Sequence, residues 1–163
     1  MTVINMEGDI LPQEWAEIST AEEFNIDRPN QIISATIFKE VHPIPSRLDL
    51  GLRLPADVNL PDVADLLVNF AMVIVEFPKL RDGRGFTIGR ELRKRYAYCG
   101  DIRAYGFVIP DVLGMLVSCG FSSIVIPTAH PVDQWRDFTR LATSENTSEN
   151  ASPLLHRMLK RGV

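Results

Sequence analysis

The chain has 163 residues, with 17 Lys and Arg against 21 Asp and Glu, which gives a formal net charge of −4. This length fits one domain, and a hydrophobic content of 45% is enough to build a single core. The acidic balance argues against nucleic-acid binding, which needs a basic surface, and two cysteines are too few for a disulfide framework or a four-thiolate cluster.

Residues 1–30 form an acidic N-terminal segment that we expect to be peripheral, with at most a short helix over residues 12–18. The first 27 residues contain seven acidic side chains and no Lys or Arg. Residues 31–41 are rich in β-branched side chains, which predicts an edge strand. The prolines at 43 and 45 then break the chain.

A regular alternation of strands and helices follows between residues 50 and 142. Short apolar runs bounded by Pro and Gly predict strands, and apolar residues at helical spacing predict helices. The predicted strands are 50–54, 72–77, 101–106 and 123–126, and the predicted helices are 59–70, 86–96, 110–119 and 132–142. Gly120 stands where a glycine is expected to end a helix.

This alternation predicts an α/β fold of about four parallel β/α units. Four units cannot close an eight-stranded barrel, so we expect either an open sheet or a half-barrel-like sheet. We expect a single α/β domain over residues 31–142. Residues 143–163 follow as a flexible tail, made of a polar linker and a short C-terminal helix.

Two features of the sequence indicate where the protein resides. No basic residues precede an apolar run at the N-terminus, so we expect no signal peptide and a cytoplasmic location. Residues 107–127 are apolar apart from Asp111, but prolines and glycines divide them into pieces shorter than a spanning helix. We therefore interpret them as buried core and expect no membrane association.

Basic side chains are concentrated in residues 76–103, which hold eight bases against four acids. A positive segment in an acidic chain can meet an anionic ligand, an acidic partner protein or the chain's own acidic N-terminus. The residues that we select as candidates for binding an anion or a partner are Lys79, Arg81, Asp82, Gly83, Arg84, Gly85, Arg90, Arg93 and Arg103.

The loop over residues 79–85 joins the end of a buried strand to the start of a helix, which is where parallel α/β folds bind anions. Gly83 and Gly85 would let the backbone approach a sulfite, sulfate, phosphate or carboxylate group. The alternative is a tight turn closed by a contact between Asp82 and Arg84. The loop matches neither the dinucleotide fingerprint nor the phosphate loop.

Arg103 lies within a predicted strand, so we expect it to be paired with a ligand or with an acid such as Asp82 or Glu76. Arg90 and Arg93 share a face of the predicted helix, most of which we interpret as solvated. The histidines and cysteines show neither metal-ligand nor catalytic spacing. We therefore predict no metal site, and the sequence identifies no cofactor.

Five short motifs lie in the central third of the chain. They are Phe77-Pro78-Lys79, Arg81-Asp82-Gly83-Arg84-Gly85-Phe86, Arg90-Glu91-Leu92-Arg93, Ile102-Arg103-Ala104 and Cys119-Gly120-Phe121. Together they resemble the bacterial DUF934 family, of which the chain would be a divergent member. The resemblance implies an oxidoreductase or an associated protein of sulfite reduction, because genes of this family neighbour that of sulfite reductase.

The chain departs from the family pattern at three positions. Phe107 and Ser122 stand where the family usually has acidic residues, and Val112 stands where it usually has the Gln of an Asp-Gln pair. A mechanism that depended on those two carboxylates would not operate in this chain.

Three hypotheses follow. The first is an accessory protein of assimilatory sulfite reduction that binds an oxyanion, or an acidic surface of sulfite reductase or its electron donor, through the basic segment. The second is a small enzyme acting on an anionic metabolite, with Asp82 or Asp111 as acid or base. The third is a structural module whose basic segment docks the acidic N-terminus. The sequence holds no redox centre, so redox chemistry would need an organic cofactor or a partner enzyme.

Overall fold

The structure is a computed structural model that describes residues 2–41, 49–79 and 81–139. The strands in these ranges are β1 (Thr2–Asn5), β2 (Ile10–Leu11), β3 (Ala16–Glu17), β4 (Gln31–Ser34), β5 (Leu50–Leu54), β6 (Met72–Phe77), β7 (Asp101–Gly106) and β8 (Ser123–Ile126). They form one sheet in the order β2-β1-β8-β7-β6-β5-β4-β3. The predicted break at residues 43 and 45 and the predicted tail over 143–163 lie outside the described residues.

The helices are α1 (Ala35–Glu40), α2 (Arg84–Lys94), α3 (Leu113–Ser118) and α4 (residues 132–139). Short 3₁₀ turns occupy Ala21–Glu23, Leu60–Asp62, Ala64–Asn69 and Pro110–Val112. None of the helices in the described ranges has the length and apolar character needed to span a bilayer.

The α/β prediction is confirmed, and strands β3 to β8 pair in parallel throughout. The four strands predicted after residue 50 have the bounds expected from the sequence. β1 runs antiparallel to both β8 and β2, so the N-terminal segment adds strands at the two edges of the sheet. The sequence does not predict these edge strands.

The link between β2 and β3 requires the sheet to curl. These strands are the opposite edges of the sheet, and in a flat sheet they would be about 34 Å apart at about 4.8 Å per strand. Only residues 12–15 join them, and a fully extended link of that length reaches about 18 Å. The sheet is therefore a curled half-barrel rather than an open sheet.

The two faces of the sheet differ in chemistry because alternate residues of each strand point to opposite sides. The outer face, covered by helices, is apolar and carries residues such as Leu52, Val73 and Ile102, each 0% exposed. The inner face, which the 12–15 linker crosses, carries Ile32, Gly51, Arg53, Met72, Ile74, Glu76, Asp101, Arg103, Tyr105 and Ser123. Trp15 of the linker packs against Ile32 and Met72 on this inner face.

Three predicted elements are wrong. Residues 12–18 contain strand β3 rather than a helix. The predicted edge strand over 31–41 ends at Ser34, because the Ser34 hydroxyl accepts a hydrogen bond from the Ile37 N–H and caps α1. The strand that remains, β4, is not at the edge of the sheet, because β3 pairs with it. The predicted helix over 59–70 is two 3₁₀ turns, which place Leu60 and Leu67 in the core.

Gly120 ends α3 as the sequence predicts. It has φ +87°, and its N–H donates to the Val117 carbonyl while the Phe121 N–H donates to the Leu116 carbonyl. This pair of bonds is the Schellman arrangement, which favours glycine because its backbone is left-handed there. The turn directs the chain into β8 and places the Phe121 ring in the core.

Candidate functional site

The loop before α2 is closed by an ion pair between Asp82 and Arg84. Arg84 Nε donates to Asp82 Oδ1 at 2.9 Å and Nη2 donates to Oδ2 at 2.6 Å, while the Arg84 backbone N–H also reaches Oδ1 at 3.2 Å. The hydrogen bond from the Arg84 side chain lowers the pKa of Asp82 from 3.8 to about 2. Asp82 is therefore a fixed carboxylate that binds Arg84, as in the alternative interpretation of the loop.

Gly85 and Gly89 serve the packing of α2 on the sheet. A Cβ on Gly85 would lie 2.6 Å from the Phe77 ring, and a Cβ on Gly89 would collide with the Phe121 ring. The two glycines are four residues apart on one face of α2, so the helix lies directly on these two aromatic rings. Gly83 has open space around it.

Arg93 binds backbone carbonyls at the ends of two loops. Its Nε donates to the Gly120 carbonyl at 2.8 Å, and its Nη1 donates to those of Tyr98 and Gly100 at 2.6 and 2.8 Å. Nη2 reaches Ser122 Oγ at 3.3 Å. These bonds occupy the guanidinium, so Arg93 joins α2 to the loops that precede β7 and β8.

Arg103 lies on the inner face, 6% exposed, and is paired within its own sheet. Its Nη2 donates to Asp101 Oδ2 at 2.9 Å, and its Nε donates to Ser123 Oγ at 2.8 Å. Arg103 is thus paired with an acid as expected, but the acid is Asp101 rather than Asp82 or Glu76. Asp101 is two residues earlier on β7, and the strand period of two brings both side chains to the same face.

Arg90 contacts the buried thiol of Cys119, with Nη2 at 3.6 Å from Sγ. Asp111 is exposed in the 3₁₀ turn before α3. Among the described residues no group of three or more His, Cys, Asp or Glu could hold a metal ion.

The remaining basic side chains form what we call the basic surface, made of Lys79, Arg81, Arg84, Arg90, Lys94 and Arg95, all of them exposed. Two of its members are paired locally, Arg84 with Asp82 and Arg95 with Glu91 at 4.0 Å. In the ranges that the structure describes, Lys79, Arg81, Arg90 and Lys94 form no ion pair. Most of the candidate bases are therefore exposed, in the loop before α2 or on α2 itself, while Arg93 and Arg103 are turned to internal partners.

One acidic side chain of the N-terminal segment, that of Glu17, reaches the inner face of the sheet. Glu17 of β3 forms an ion pair with Arg53, with Oε1 2.9 Å from Nη2, and Glu76 Oε1 accepts a hydrogen bond from Arg53 Nη1 at 3.2 Å. The Arg53 guanidinium also lies 4.5 Å from the centre of the Tyr105 ring. We call these four residues the Arg53 cluster.

Sequence reasoning missed the Arg53 cluster, although each strand carries a signal of it. Arg53 stands between Leu52 and Leu54 in β5, and Glu76 follows four apolar residues in β6. A charged residue at alternate positions of a buried strand indicates a second, polar face of the sheet.

A cleft lies at the carboxyl ends of β6, β7 and β8, next to this cluster. Its volume is about 450 Å³, and its walls are formed by Glu76, Phe77, Pro78, Tyr105, Gly106, Phe107, Val125, Ile126, Pro127 and Thr128. Ligands of parallel α/β folds bind at the carboxyl ends of the strands, and a cleft of this size suits a small molecule. We call it the mouth cleft.

Comparison with known proteins identifies a family. The model of the family described as "Bacterial protein of unknown function (DUF934)" matches residues 51–153, a span that includes all but the first residue of β5, the whole of β6 to β8 and the whole of α2. No curated protein and no solved structure matches the chain. Because the matched span covers more than half of its length, the chain belongs to the DUF934 family.

Proposed function

We propose that the protein is an accessory factor of assimilatory sulfite reduction that docks on an acidic surface of sulfite reductase or of its electron donor. The pathway comes from the family, whose genes neighbour that of sulfite reductase. The observation that carries the docking is that Lys79, Arg81, Arg90 and Lys94 are exposed and, within the described residues, form no ion pair. A surface of this kind steers an acidic partner and sets the register of a complex.

The arrangement favours docking of a protein over binding of a small oxyanion. A compact anion site needs several donors that converge on one point. Here the strongest convergent donors are used internally: Arg84 binds Asp82, and Arg93 binds the carbonyls of Tyr98, Gly100 and Gly120.

An enzyme that uses Asp82 or Asp111 as acid or base receives less support. The pKa of Asp82 is about 2, so the group carries no proton to donate at neutral pH and is a weak base. Asp111 is exposed on a 3₁₀ turn and does not line the mouth cleft.

The test is growth on sulfate as sole sulfur source, in a deletion strain complemented with variants of the basic surface. Arg81→Glu/Lys94→Glu reverses one loop arginine and one lysine in the last turn of α2. Arg28→Glu/Lys39→Glu is the matched control, because it also reverses one exposed loop arginine and one lysine in the last turn of a helix, here α1. The proposal expects slow growth with the first variant only, and equal growth of the two strains would contradict it.

A thermal-shift assay with sulfite separates the small-anion alternative from docking. A ligand at 100 times its dissociation constant would stabilise the fold by about 2.7 kcal/mol. The docking proposal expects no shift with sulfite or sulfate. A shift that disappears in Arg81→Glu/Lys94→Glu would instead assign the basic surface to an oxyanion.

A further inference from the structure

The mouth cleft offers a binding site whose chemistry is opposite to that of the basic surface. Pro78, Phe107 and Pro127 supply apolar walls, and Phe107 is 65% exposed at the rim. A large exposed aromatic side chain beside a cleft is a common anchor for a ligand ring.

The end of β7 holds the rim in place. Gly106 has φ +110°, and a Cβ there would lie 2.5 Å from the Phe77 carbonyl oxygen, so β7 approaches β6 more closely than a side chain would allow. The Phe107 N–H donates to that carbonyl at 2.8 Å. Because these contacts are between backbone atoms of adjacent strands, the position of Phe107 is set by the sheet.

The polar groups of the mouth cleft favour a hydrogen-bond donor or a cation over an anion. Glu76 lies on its wall, and the adjacent Glu17 and Glu76 carboxylates share the one guanidinium of Arg53. The two carboxylates and one guanidinium leave a net charge of −1 beside the cleft. Tyr105 also lines the cleft, and its hydroxyl makes no hydrogen bond to the described part of the chain.

We propose that the mouth cleft binds a small aromatic molecule that is neutral or positively charged. Its ring packs against Phe107 and the two prolines, and an N–H group of the ligand donates to Glu76. An anionic ring of the same shape is rejected, because its charge would face the Glu76 carboxylate.

Benzamidine and benzoate test this selectivity, because the two probes have nearly the same shape and opposite charge. Each is titrated to about 10 mM against the isotope-labelled full chain, a range suited to the weak affinity of so small a ligand. Amide signals are followed by NMR. We expect benzamidine to shift the Gly106, Phe107 and Thr128 signals saturably, and benzoate to leave them unchanged.

Two pairs of variants assign the binding to named side chains. Glu76→Gln is expected to weaken benzamidine about tenfold, while Glu40→Gln, an exposed acid on α1, leaves it unchanged. Phe107→Ser is expected to weaken the binding of benzamidine to a similar extent. Val68→Ser is the control, because the Val68 side chain is also exposed, at 77%. The Phe107 variant keeps the fold intact even if Glu76→Gln does not, since its side chain is at the surface.

Equal shifts with benzoate, or no saturable shift at the mouth cleft, would overturn the proposal. Shifts confined to the basic surface would do the same. Arg81→Glu/Lys94→Glu should bind benzamidine as the wild type does, so the outcome here is independent of the docking function.

Discussion

The Arg84 side chain donates two hydrogen bonds to the Asp82 carboxylate, of 2.9 and 2.6 Å, in the loop where the sequence suggests an anion site. The guanidinium that would have bound a ligand thus has an anion supplied by its own chain. The neighbouring Lys79 and Arg81 remain exposed. This distinction between a closed turn and an open basic surface underlies the proposed docking function.

The Asp82–Arg84 pair predicts a specific titration. The pKa of Asp82, about 2 in the fold, should return toward 3.8 in Arg84→Ala, since the hydrogen bond from Arg84 is the main cause of its depression. Because the folded pKa is depressed, the pair stabilises the fold above pH 3.8 and loses this effect as the pH falls through about 2. A carboxyl NMR titration measures both values, and an unchanged midpoint in the variant would contradict the assignment.

Arg93 should be the most important arginine of α2 for stability. Arg93→Ala leaves the carbonyls of Tyr98, Gly100 and Gly120 without their donor, for which we expect a loss of roughly 2–4 kcal/mol in urea unfolding. Arg90→Ala, on the same helix but exposed, should change stability by less than about 0.5 kcal/mol. Equal effects of the two substitutions would show that the carbonyl contacts contribute little.

Two substitutions of glycine by alanine should change the stability of the protein in opposite directions. Gly89→Ala places a methyl group against the Phe121 ring, and overpacking of this kind costs about 1–3 kcal/mol. Gly114→Ala on α3 has open space, so it should stabilise the protein by about 0.5–1 kcal/mol through the helix preference of alanine. Thermal unfolding of both variants checks the prediction, and a stabilised Gly89→Ala would contradict the close packing of α2.

The strand β1 is predicted to be an integral part of the sheet. Ile4 is 1% exposed, and its cross-strand partner Ile10 on β2 is 61% exposed. Ile4→Ala should therefore cost about 2–5 kcal/mol, and Ile10→Ala less than about 0.5 kcal/mol. If urea unfolding gave the same small change for both, the pairing of β1 with β8 would be in doubt.

The parallel strands were predictable because their signals are local. Met72–Phe77 is a nearly continuous apolar run, and prolines or glycines bound the other strands. Each strand can therefore be predicted from its own residues and their immediate neighbours. β2 and β3 have two residues each, which is too short for an alternating pattern of apolar and polar residues to mark them. The curl of the sheet depends on that pair of edges, so the sequence does not distinguish an open sheet from a half-barrel-like sheet.

The candidate site was predictable only in part for a related reason. Sequence spacing predicts the Asp82–Arg84 contact as one of two alternatives, because the two residues are neighbours on a turn. The ion pairs of Arg53 with Glu17 and Glu76 join side chains on three strands. They form only because the register of these strands places the three side chains next to one another. The mouth cleft is likewise formed by the ends of three strands and has no contiguous motif.

The most direct test of the docking function is the affinity of the purified protein for sulfite reductase and for its electron donor, measured at about 50 and 200 mM salt. We predict binding that weakens with salt, falls about tenfold or more in Arg81→Glu/Lys94→Glu, and is retained in Arg28→Glu/Lys39→Glu. Absence of binding to both partners, or equal losses in the two variants, would contradict the account.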